Sequence, residues 1–441
     1  MNKDPLVTIY ITSCNYYAFL EAAIESALAQ TYSNIEIIIY DDNSSDNSPS
    51  IIKRYKDYEN IKIILSDQRN GLRKSSNNCI KAAKGEYILR LDADDLLHKH
   101  CIEIMMSKVR SEEEAPHFIF SNYFYINNKG VLLGTELIES ENGKYNAISI
   151  PPHGACCLIK RNLFTKYGFY DEEINRQDGH ELWIKVLKNN LNYAHIDLPL
   201  WFYRKHGESL SSKNSLLYRD RKILKQKLNN NQERIIAFIP ILETVFSVFN
   251  PIKSGQLESL IKQVRLSNKF KEIIVSTDSK RVIEYCATRK IAVHDRTNLL
   301  KEGKNEIFHA LTSLILNQRK QNEFFCIINL LSIYLKKIHF QESVNTLQLY
   351  NADSVISVYL DNGIMYKMGG YGLVPINYDS QFVIRKDRDF IYIFNGALRI
   401  IKGKNLIAGN PFGKRIAHIE MTMEESFIVK SRKNAILKGL A

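Results

Sequence analysis

The chain has 441 residues and a formal net charge of +12, with 45% hydrophobic and 24% charged residues. This length exceeds what a single hydrophobic core usually supports, so two domains are expected. The composition is that of a globular protein, and only 20 glycines and 10 prolines exclude collagen-like or linker-rich chains. The positive charge favours an anionic partner, but the basic residues form no block and accompany no nucleic-acid-binding motif. We therefore predict no binding to nucleic acid.

The N-terminal segment, the apolar runs and the cysteines predict where the protein resides. Residues 1–17 lack the apolar core of a signal peptide. The longest apolar stretch, Phe324–Leu335, falls well short of the roughly 20 residues that cross a bilayer. The seven cysteines form no CxxC pair and no zinc spacing, which favours reduced thiols. The prediction is a cytoplasmic protein that is either free in solution or attached peripherally to the inner face of the membrane.

Residues 7–95 alternate β-rich runs with segments whose apolar residues recur at helical spacing. Strands are predicted at Val7–Thr12, Ile35–Asp42, Ile61–Ser66 and Glu86–Asp95, and helices at Tyr17–Tyr32, Ser45–Tyr55 and Ser75–Ala83. This alternation predicts an α/β fold with a parallel, doubly wound sheet. Ligands of such sheets lie beyond the carboxyl ends of the strands, where two of the predicted strands end in aspartates.

Two aspartates close the second predicted strand. Asp41 and Asp42 are followed by Asn43–Asp46, and carboxylates at this edge suit hydrogen bonds to the base and ribose of a nucleotide. The alternative is a helix N-cap, since Asp and Ser commonly precede helices. This segment alone leaves both interpretations open.

Three carboxylates close the fourth predicted strand, at Asp92, Asp94 and Asp95. Carboxylates this close repel one another unless a cation or a basic group accompanies them. Oxygen-rich sites of this kind suit Mg²⁺ or Mn²⁺. The alternative is a solvated turn.

Two long segments carry a family resemblance. TSCNYYAFLEAAIESALAQTYSNIEIIIYDDNSSDNS, which starts at Thr12, resembles the opening of family 2 glycosyltransferases, which have the GT-A fold. QRNGLRKSSNNCIKAAKGEYILRLDADD, which ends at Asp95, resembles the central block of that family. The resemblance implies that Asp92 contacts ribose or metal and that Asp94 is the main metal ligand. The donor nucleotide-binding residues that it implies are Thr12, Asn15, Asp41, Asp42, Arg73 and Asp92.

Three later segments resemble the same family in the correct order. Pro151–Glu173 is similar to its acceptor-side block, Ile174–Leu187 to its catalytic helix and Trp201–Ser211 to its closing YRxHxxSxS motif. The resemblance implies that Asp178 is the general base, with Glu181 as the reserve. It also implies that His206 completes the metal site and that His153 lines the acceptor site.

The chain departs from the family pattern at two places. Thr12-Ser13-Cys14-Asn15 stands where the family usually has Pro-Thr/Ser-Tyr-Asn, and Ser75-Ser76-Asn77-Asn78-Cys79 where many members have Ala-Arg-Asn-x-Gly. The missing arginine affects the expected phosphate contacts, for which Arg73 or Lys74 is the expected substitute. The carboxylates remain, so the activity is still expected.

The second half of the chain is a second predicted α/β region. Residues 210–233 are polar and charged and predict a linker helix, which divides a first domain at 1–228 from a second at 234–441. In the second domain, the segments RIIAFIPI, NADSVISVYL and FGKRIAHIEMTMEES, in this order, are similar to the cytidylyltransferases that activate sialic and related nonulosonic acids, and that resemblance implies a Rossmann-type fold. No sequence repeat links the two halves.

The second domain lacks charged groups that cytidyl transfer requires. Leu242–Gly255 stands where the family has a basic, glycine-containing triphosphate loop, and Leu330–Lys336 replaces its Gln-Pro-Thr-Ser-Pro-Leu-Arg segment. Phe427–Lys430 falls at its closing Asp-x-Asp pair. Attack at a phosphate without such groups lacks charge stabilisation, so this domain is expected to be catalytically inactive.

The leading hypothesis is an inverting glycosyltransferase that needs Mn²⁺ or Mg²⁺ and acts in the synthesis of a cell-surface polysaccharide or glycoconjugate. Its expected partners are a nucleotide-sugar donor, with UDP as the favoured carrier, and a carbohydrate or glycoconjugate acceptor. The second domain would then serve as a scaffold, a binding module or a surface for homo-oligomerisation. The alternatives are a bifunctional enzyme that also makes a CMP-nonulosonic acid, and a non-catalytic scaffold.

Overall fold

The computed structural model describes residues 4–138, 154–174, 178–206, 223–229, 233–297, 307–361, 366–369, 372–375 and 391–440. The chain divides into two compact units, residues 1–224 and 225–441. Within the described ranges, no helix combines the length and the apolar character that a membrane span requires.

The first unit is built on one mixed sheet. Its strands in the described residues are β1 (Val7–Ser13), β2 (Ile35–Asp41), β3 (Ile61–Leu65), β4 (Tyr87–Asp92), β5 (Leu96–Leu97), β6 (Phe118–Ile126), β7 (Leu132–Glu136), β8 (Leu158–Lys160) and β9 (Tyr193–Arg204). The strand order is β3-β2-β1-β4-β8-β6-β9-β5, with β7 paired to β6.

The four predicted strands form a parallel group at one side of this sheet. β1 pairs in parallel with β2 on one side and β4 on the other, and β3 continues beside β2. The prediction of a parallel sheet covered only these four strands, and beyond β4 the sheet is mixed, because β8 runs antiparallel between β4 and β6. Apolar side chains of β1, β2 and β4 are buried, apart from the half-buried Ile35, as expected for strands covered by helices on both faces.

Six helices accompany these strands in the described residues. They are α1 (Tyr17–Leu28), α2 (Ser48–Lys53), α3 (Leu72–Ala82), α4 (Cys101–Ser111), α5 (Asn162–Tyr167) and α6 (Asp178–Lys188). The second helix begins later than predicted because its preceding residues hold the neighbouring loop. The amide of Asn15 donates to Ser44 Oγ and the amide of Tyr17 donates to Asp46 Oδ2, at 3.0 and 2.9 Å.

The third helix begins earlier than predicted, at Leu72 rather than Ser75. Gly71 precedes it with φ of +81°, a backbone conformation that side chains with a Cβ rarely adopt. The turn at Gly71 therefore sets the start of the helix. Of the predicted linker helix, residues 223–228 are helical, and 207–222 and 230–232 lie outside the described residues.

The second unit contains a second mixed sheet. Its strands are β10 (Ile235–Ile241), β11 (Phe270–Thr277), β12 (Ala292–Asp295), β13 (Phe324–Ile328), β14 (Ser354–Asp361), β17 (Ile391–Lys402) and β18 (Ile416–Glu420), beside a separate hairpin of β15 (Tyr366–Gly369) and β16 (Gly372–Pro375). Its α-helices are Gln256–Ser267, Lys280–Thr288, Ile307–Gln318, Lys337–Leu349, Gly403–Ile407 and Arg432–Leu437, and a 3-10 helix covers Glu243–Ser247.

The two sheets share one topology, although no sequence repeat was found. The second sheet has the order β12-β11-β10-β13-β17-β14-β18, which matches β3-β2-β1-β4-β8-β6-β9 position by position. The directions match as well, since β17 is antiparallel to β13 and β14, and β18 is parallel to β14. Each unit therefore contains an open α/β sheet. Its second and third strands lie on one side of its first strand, and the fourth strand lies on the other side.

Candidate functional site

The carboxyl ends of β1 and β2 form a polar edge. Ser13 and Asp41 are register partners there, and Thr12 precedes Ser13. The buried oxygens Thr12 Oγ1, Ser13 Oγ and Asp41 Oδ1 have no hydrogen-bond partner among the described residues. Buried polar atoms are normally paired, so unpaired oxygens at this edge leave acceptor and donor positions for a ligand.

Asn15 and Asp42, two further predicted donor contacts, also shape the surrounding loops. Asn15 has φ of +63°, and its Oδ1 accepts from the amide of Ser45 at 2.8 Å. The two carboxylate oxygens of Asp42 accept from the amides of Asn70 and Gly71, each at 2.8 Å. Asp42 thus ties the end of β2 to the start of α3, and the nucleotide contacts of both side chains stay predictions.

Asp92 is the last residue of β4 and is the register partner of Thr12 on the neighbouring β1. Arg90 precedes it by two residues on the same face of the strand and is buried. Arg90 Nε lies 2.9 Å from Asp92 Oδ1. Burial raises the pKa of Asp92 to about 6, with Asp94 and Asp178 adding to the rise and Arg90 opposing it.

Asp178, the predicted base, is the first residue of α6 and meets the same arginine. Its Oδ2 lies 2.5 Å from Arg90 Nη1, and its side chain is 16% exposed. Burial opposes the charged form of Asp178, but the neighbouring Arg90 and Arg73 outweigh it and hold the pKa below its ordinary value. The carboxylate is therefore deprotonated at neutral pH.

Asp94 and His206, the two predicted metal ligands, are brought together by the fold. Asp94 Oδ2 lies 2.8 Å from His206 Nε2, although 112 residues separate them in sequence. Arg204 fixes the loop that carries Asp94, because its Nε donates to the carbonyl of Asp94 and its amide donates to Asp95 Oδ1. These contacts place the imidazole against the acidic loop at the end of β4.

The side chains around Asp94 suit a cation that also binds the diphosphate of a nucleotide. The described residues contain no group of three or more His, Cys, Asp or Glu side chains arranged for a metal. Mg²⁺, however, is commonly held by one or two carboxylates, with water and substrate phosphate oxygens completing the octahedron. Asp94 and Asp92 match the number of carboxylates that such a site uses, and the His206 imidazole lies beside Asp94.

Arg73 and Glu181 do not have the environment expected of a donor contact and a reserve base. Arg73 Nη1 lies 2.5 Å from Glu181 Oε2, and the two side chains are 3% and 2% exposed. Lys185 Nζ lies 2.8 Å from the other oxygen of Glu181. Both oxygens of Glu181 are thus neutralised inside the protein, so we reassign Arg73 and Glu181 to a buried structural cluster.

Sequence reasoning missed Arg90, which contacts both Asp92 and Asp178. The signal was present, since an arginine within the apolar run YILRL is almost never buried without a partner. The sequence did not identify the second partner, because Asp178 lies 88 residues away. His153, predicted at the acceptor site, lies outside the described residues.

Comparisons with known proteins identify relatives of the first unit. The model of the family "Glycosyl transferase family 2" matches residues 8–168. A relative from Escherichia coli, named UDP-Glc:alpha-D-GlcNAc-diphosphoundecaprenol beta-1,3-glucosyltransferase WfaP, is 33% identical over 233 residues, covering 53% of this chain and 90% of the relative. The uncharacterized glycosyltransferase RP339 of Rickettsia prowazekii is 33% identical over 193 residues, which cover 42% of this chain. The match spans 59% of that relative's own length.

Among solved structures, residues 1–349 of Staphylococcus aureus TarS in complex with UDP-GlcNAc align with a TM-score of 0.44 and 14% identity. The alignment covers 88% of this chain and 99% of that one, and at this level of similarity it supports no inference about this chain. The resemblance of the first half is confirmed by the family match and the Escherichia coli relative, and that of the second half stays a prediction. The chain belongs to glycosyl transferase family 2.

Proposed function

We propose that the chain is an inverting, metal-dependent glycosyltransferase that moves a sugar from UDP to a carbohydrate acceptor during synthesis of a cell-surface polysaccharide or glycoconjugate. The observation that carries the proposal is the arrangement of carboxylates around the end of β4. Asp92 and Asp178 meet at Arg90, and Asp94 meets His206. The positions that we propose for the nucleotide, the cation and the base would thereby lie along one edge of the sheet.

The donor nucleotide would lie over the ends of β1, β2 and β4. Thr12 and Asp41 offer buried oxygens that have no hydrogen-bond partner in the described part of the chain, and Asp92 is partly exposed beside them. This is the position at which open α/β sheets bind nucleotides, beside the strand where the winding direction changes. Asn15 and Asp42 would support the loops that enclose the base and ribose.

Asp178 would act as the general base. Its carboxylate accepts the proton of the acceptor hydroxyl, the hydroxyl oxygen forms a bond to the anomeric carbon, and the bond from that carbon to the diphosphate oxygen breaks. The products are the glycosylated acceptor and UDP. Among the partly exposed carboxylates described at this edge, Asp92 is assigned to the donor and Asp94 to the cation, which leaves Asp178 as the base. With no carboxylate assigned as a separate nucleophile, we infer a single displacement with inversion.

Asp94 and His206 would hold the cation, either Mn²⁺ or Mg²⁺. A cation bound at this position would neutralise charge on the departing diphosphate. Arg204 keeps the Asp94 loop in place through its contacts to Asp94 and Asp95.

The choice of UDP and of the acceptor class rests on the relatives. The Escherichia coli relative is named for a UDP-glucose donor and for an acceptor sugar on diphosphoundecaprenol. We propose by analogy that this chain uses a UDP-sugar and an acceptor glycan on a lipid diphosphate, which would bring the protein to the inner face of the membrane.

The proposal is tested by presenting UDP-, GDP-, dTDP- and CMP-sugars to the purified chain with Mn²⁺ or Mg²⁺. Thermal stabilisation and slow donor hydrolysis are measured. We expect one class of nucleotide diphosphate sugar to stabilise the protein, and we expect Asp94→Ala to abolish both responses. Asp57→Ala, at an exposed position away from the site, is the control and should behave as the wild type.

Stabilisation by CTP or a CMP-sugar alone, unchanged in Asp94→Ala, would place the function in the second unit and overturn the proposal. For residues 234–441 we infer a cytidylyltransferase-like scaffold without turnover. The shared strand order supports a nucleotide-binding-type fold there. Asn329-Leu330-Leu331-Ser332 follows β13 at the place where Asp94 and its neighbours follow β4, so cation ligands are lost.

A further inference from the structure

Arg90 is a buried cation that joins two parts of the proposed site. It lies on β4 with 5% of its side chain exposed. Nη1 lies 2.5 Å from Asp178 Oδ2 on α6, and Nε and Nη2 lie 2.9 and 3.4 Å from the two oxygens of Asp92. Nη1 thus pairs closely with Asp178 and Nη2 donates a long hydrogen bond to Asp92, whereas Nε lies near Asp92 Oδ1 without forming a hydrogen bond.

The burial of the three side chains shows how they are layered. Asp92 is 26% exposed and Asp178 is 16% exposed, whereas Arg90 lies beneath them. Asp92 and Asp178 therefore lie between Arg90 and the surface of the site, so the guanidinium itself does not contact a substrate. Any effect of Arg90 on the reaction must pass through Asp92 or Asp178.

A second contact restricts Asp178 from another side. A Cβ on Gly154 would lie 2.5 Å from Asp178 Oδ2 and 2.8 Å from the amide of Gly179. The Oδ2 atom is consequently enclosed by Arg90 and by the backbone at Gly154. Oδ1 is the oxygen that these contacts leave for an acceptor hydroxyl.

We propose that Arg90 is a positioning residue for the glycosyl transfer, holding Asp178 Oδ2 so that Oδ1 receives the proton. This inference rests on the proposed function, since it takes Asp178 as the base. Lysine cannot replace the guanidinium, because a single ammonium does not hold two carboxylates in a fixed mutual geometry.

The test compares steady-state kinetics of Arg90→Lys with the wild type, on protein shown by thermal melts to be folded at the assay temperature. We expect kcat to fall about 30- to 100-fold, because misplacement of a catalytic group by about 1 Å has effects of this size. The KM of the donor and the calorimetric Kd of UDP should stay within about 3-fold of the wild type. A fall in kcat without a change in donor KM or UDP Kd distinguishes an effect on the base from an effect on donor binding.

The dependence on Asp178 is tested by a double-mutant cycle. In an Asp178→Asn background, Arg90→Lys should lower the residual kcat by no more than about 2-fold, since the group through which it acts is already disabled. An equally large fall in that background would overturn the inference. So would a wild-type kcat in Arg90→Lys, or a loss of UDP affinity that accounts for the whole effect.

Lys185→Met is the matched control for losing a buried cation. Lys185 also neutralises a buried carboxylate, on the helix that carries Asp178, but its partner Glu181 is turned away from solvent. We expect this variant to melt at a lower temperature while kcat per folded molecule stays near the wild type. An equal loss of kcat in both variants would make the Arg90 effect structural. Failure of the proposed function would instead appear as no transfer by the wild type.

Discussion

Asp178 and Glu181 lie three residues apart at the start of α6, yet their surroundings differ. Asp178 is partly exposed and shares Arg90 with Asp92, whereas both oxygens of Glu181 are enclosed by Arg73 and Lys185. A base must contact the acceptor hydroxyl, so exposure distinguishes the two carboxylates. This difference supports Asp178 as the base and a structural role for Glu181.

Substitution of the base should affect turnover far more than binding. We expect Asp178→Asn to lower kcat by about 10²- to 10⁴-fold, because an amide accepts no proton from the acceptor. The KM of the donor should change little, since the proposed donor contacts lie at the ends of β1, β2 and β4, whereas Asp178 lies on α6. Steady-state kinetics with Asp57→Asn as an exposed control measure this effect, and a wild-type kcat in Asp178→Asn would contradict the assignment.

Loss of Glu181 should affect stability rather than turnover. Glu181→Ala leaves the buried Arg73 and Lys185 without their carboxylate, and breaking a buried pair in this way costs about 3–5 kcal/mol. Urea denaturation measures the change, and kcat per folded molecule should remain near the wild type. Glu103→Ala removes an exposed ion pair with Arg110 and should change stability by less than about 1 kcal/mol. A fully folded Glu181→Ala without activity would restore Glu181 as a candidate base.

At the scale of elements, the site depends on close packing between the segment before β8 and the first turn of α6. β8 runs antiparallel to β4, and the amide of Cys156 donates to the carbonyl of Arg90 at 2.7 Å. Gly154 lies against Asp178 and Gly179 with no room for a side chain. The position of the base is thus set by a neighbouring backbone as well as by Arg90.

A methyl group at Gly154 should displace the base. Gly154→Ala would place a Cβ 2.5 Å from Asp178 Oδ2, so the start of α6 must shift. We expect a loss of about 1–3 kcal/mol in stability and about a 10- to 100-fold fall in kcat. Gly134→Ala is the control, because a Cβ at Gly134 meets no atom within 4 Å. Equal kinetics of the two variants would show that α6 tolerates the displacement.

At the scale of the whole molecule, two units of one strand order carry different chemistry at the ends of their strands. β4 is followed by an acidic loop, and β13 by Asn329-Leu330-Leu331-Ser332. A topology alone does not imply an activity, because function depends on the side chains placed at the strand ends. The cation-dependent chemistry is therefore expected in the first unit only.

The full chain should not turn over CTP. Given CTP, a nonulosonic acid and Mg²⁺, we expect no pyrophosphate release above the rate without enzyme, since the second unit lacks the charged groups that stabilise attack at the α-phosphate. A coupled pyrophosphate assay measures this, with an active cytidylyltransferase as positive control. Turnover that persists in Asp94→Ala would establish the bifunctional alternative.

The sequence by itself determined the parallel core of the first sheet and the carboxylates at its edge. Local periodicity specifies strands such as β1 and β4, and Asp41, Asp92 and Asp94 could be located because they directly follow those strands. The family resemblance, confirmed for the first half, also depends on short segments that a single sequence displays. These features are local, so the order of residues is enough to reveal them.

The tertiary structure decided which carboxylate has which partner. Arg90 and Asp178 are 88 residues apart, and Arg73 and Glu181 are 108 apart, so no local pattern assigns one arginine to one acid. The shared topology of the two sheets was equally invisible, because strand order and direction are fixed by non-local pairing. Contacts between distant residues set burial and charge, and these determine whether a carboxylate can act as a base or serves only to stabilise the fold.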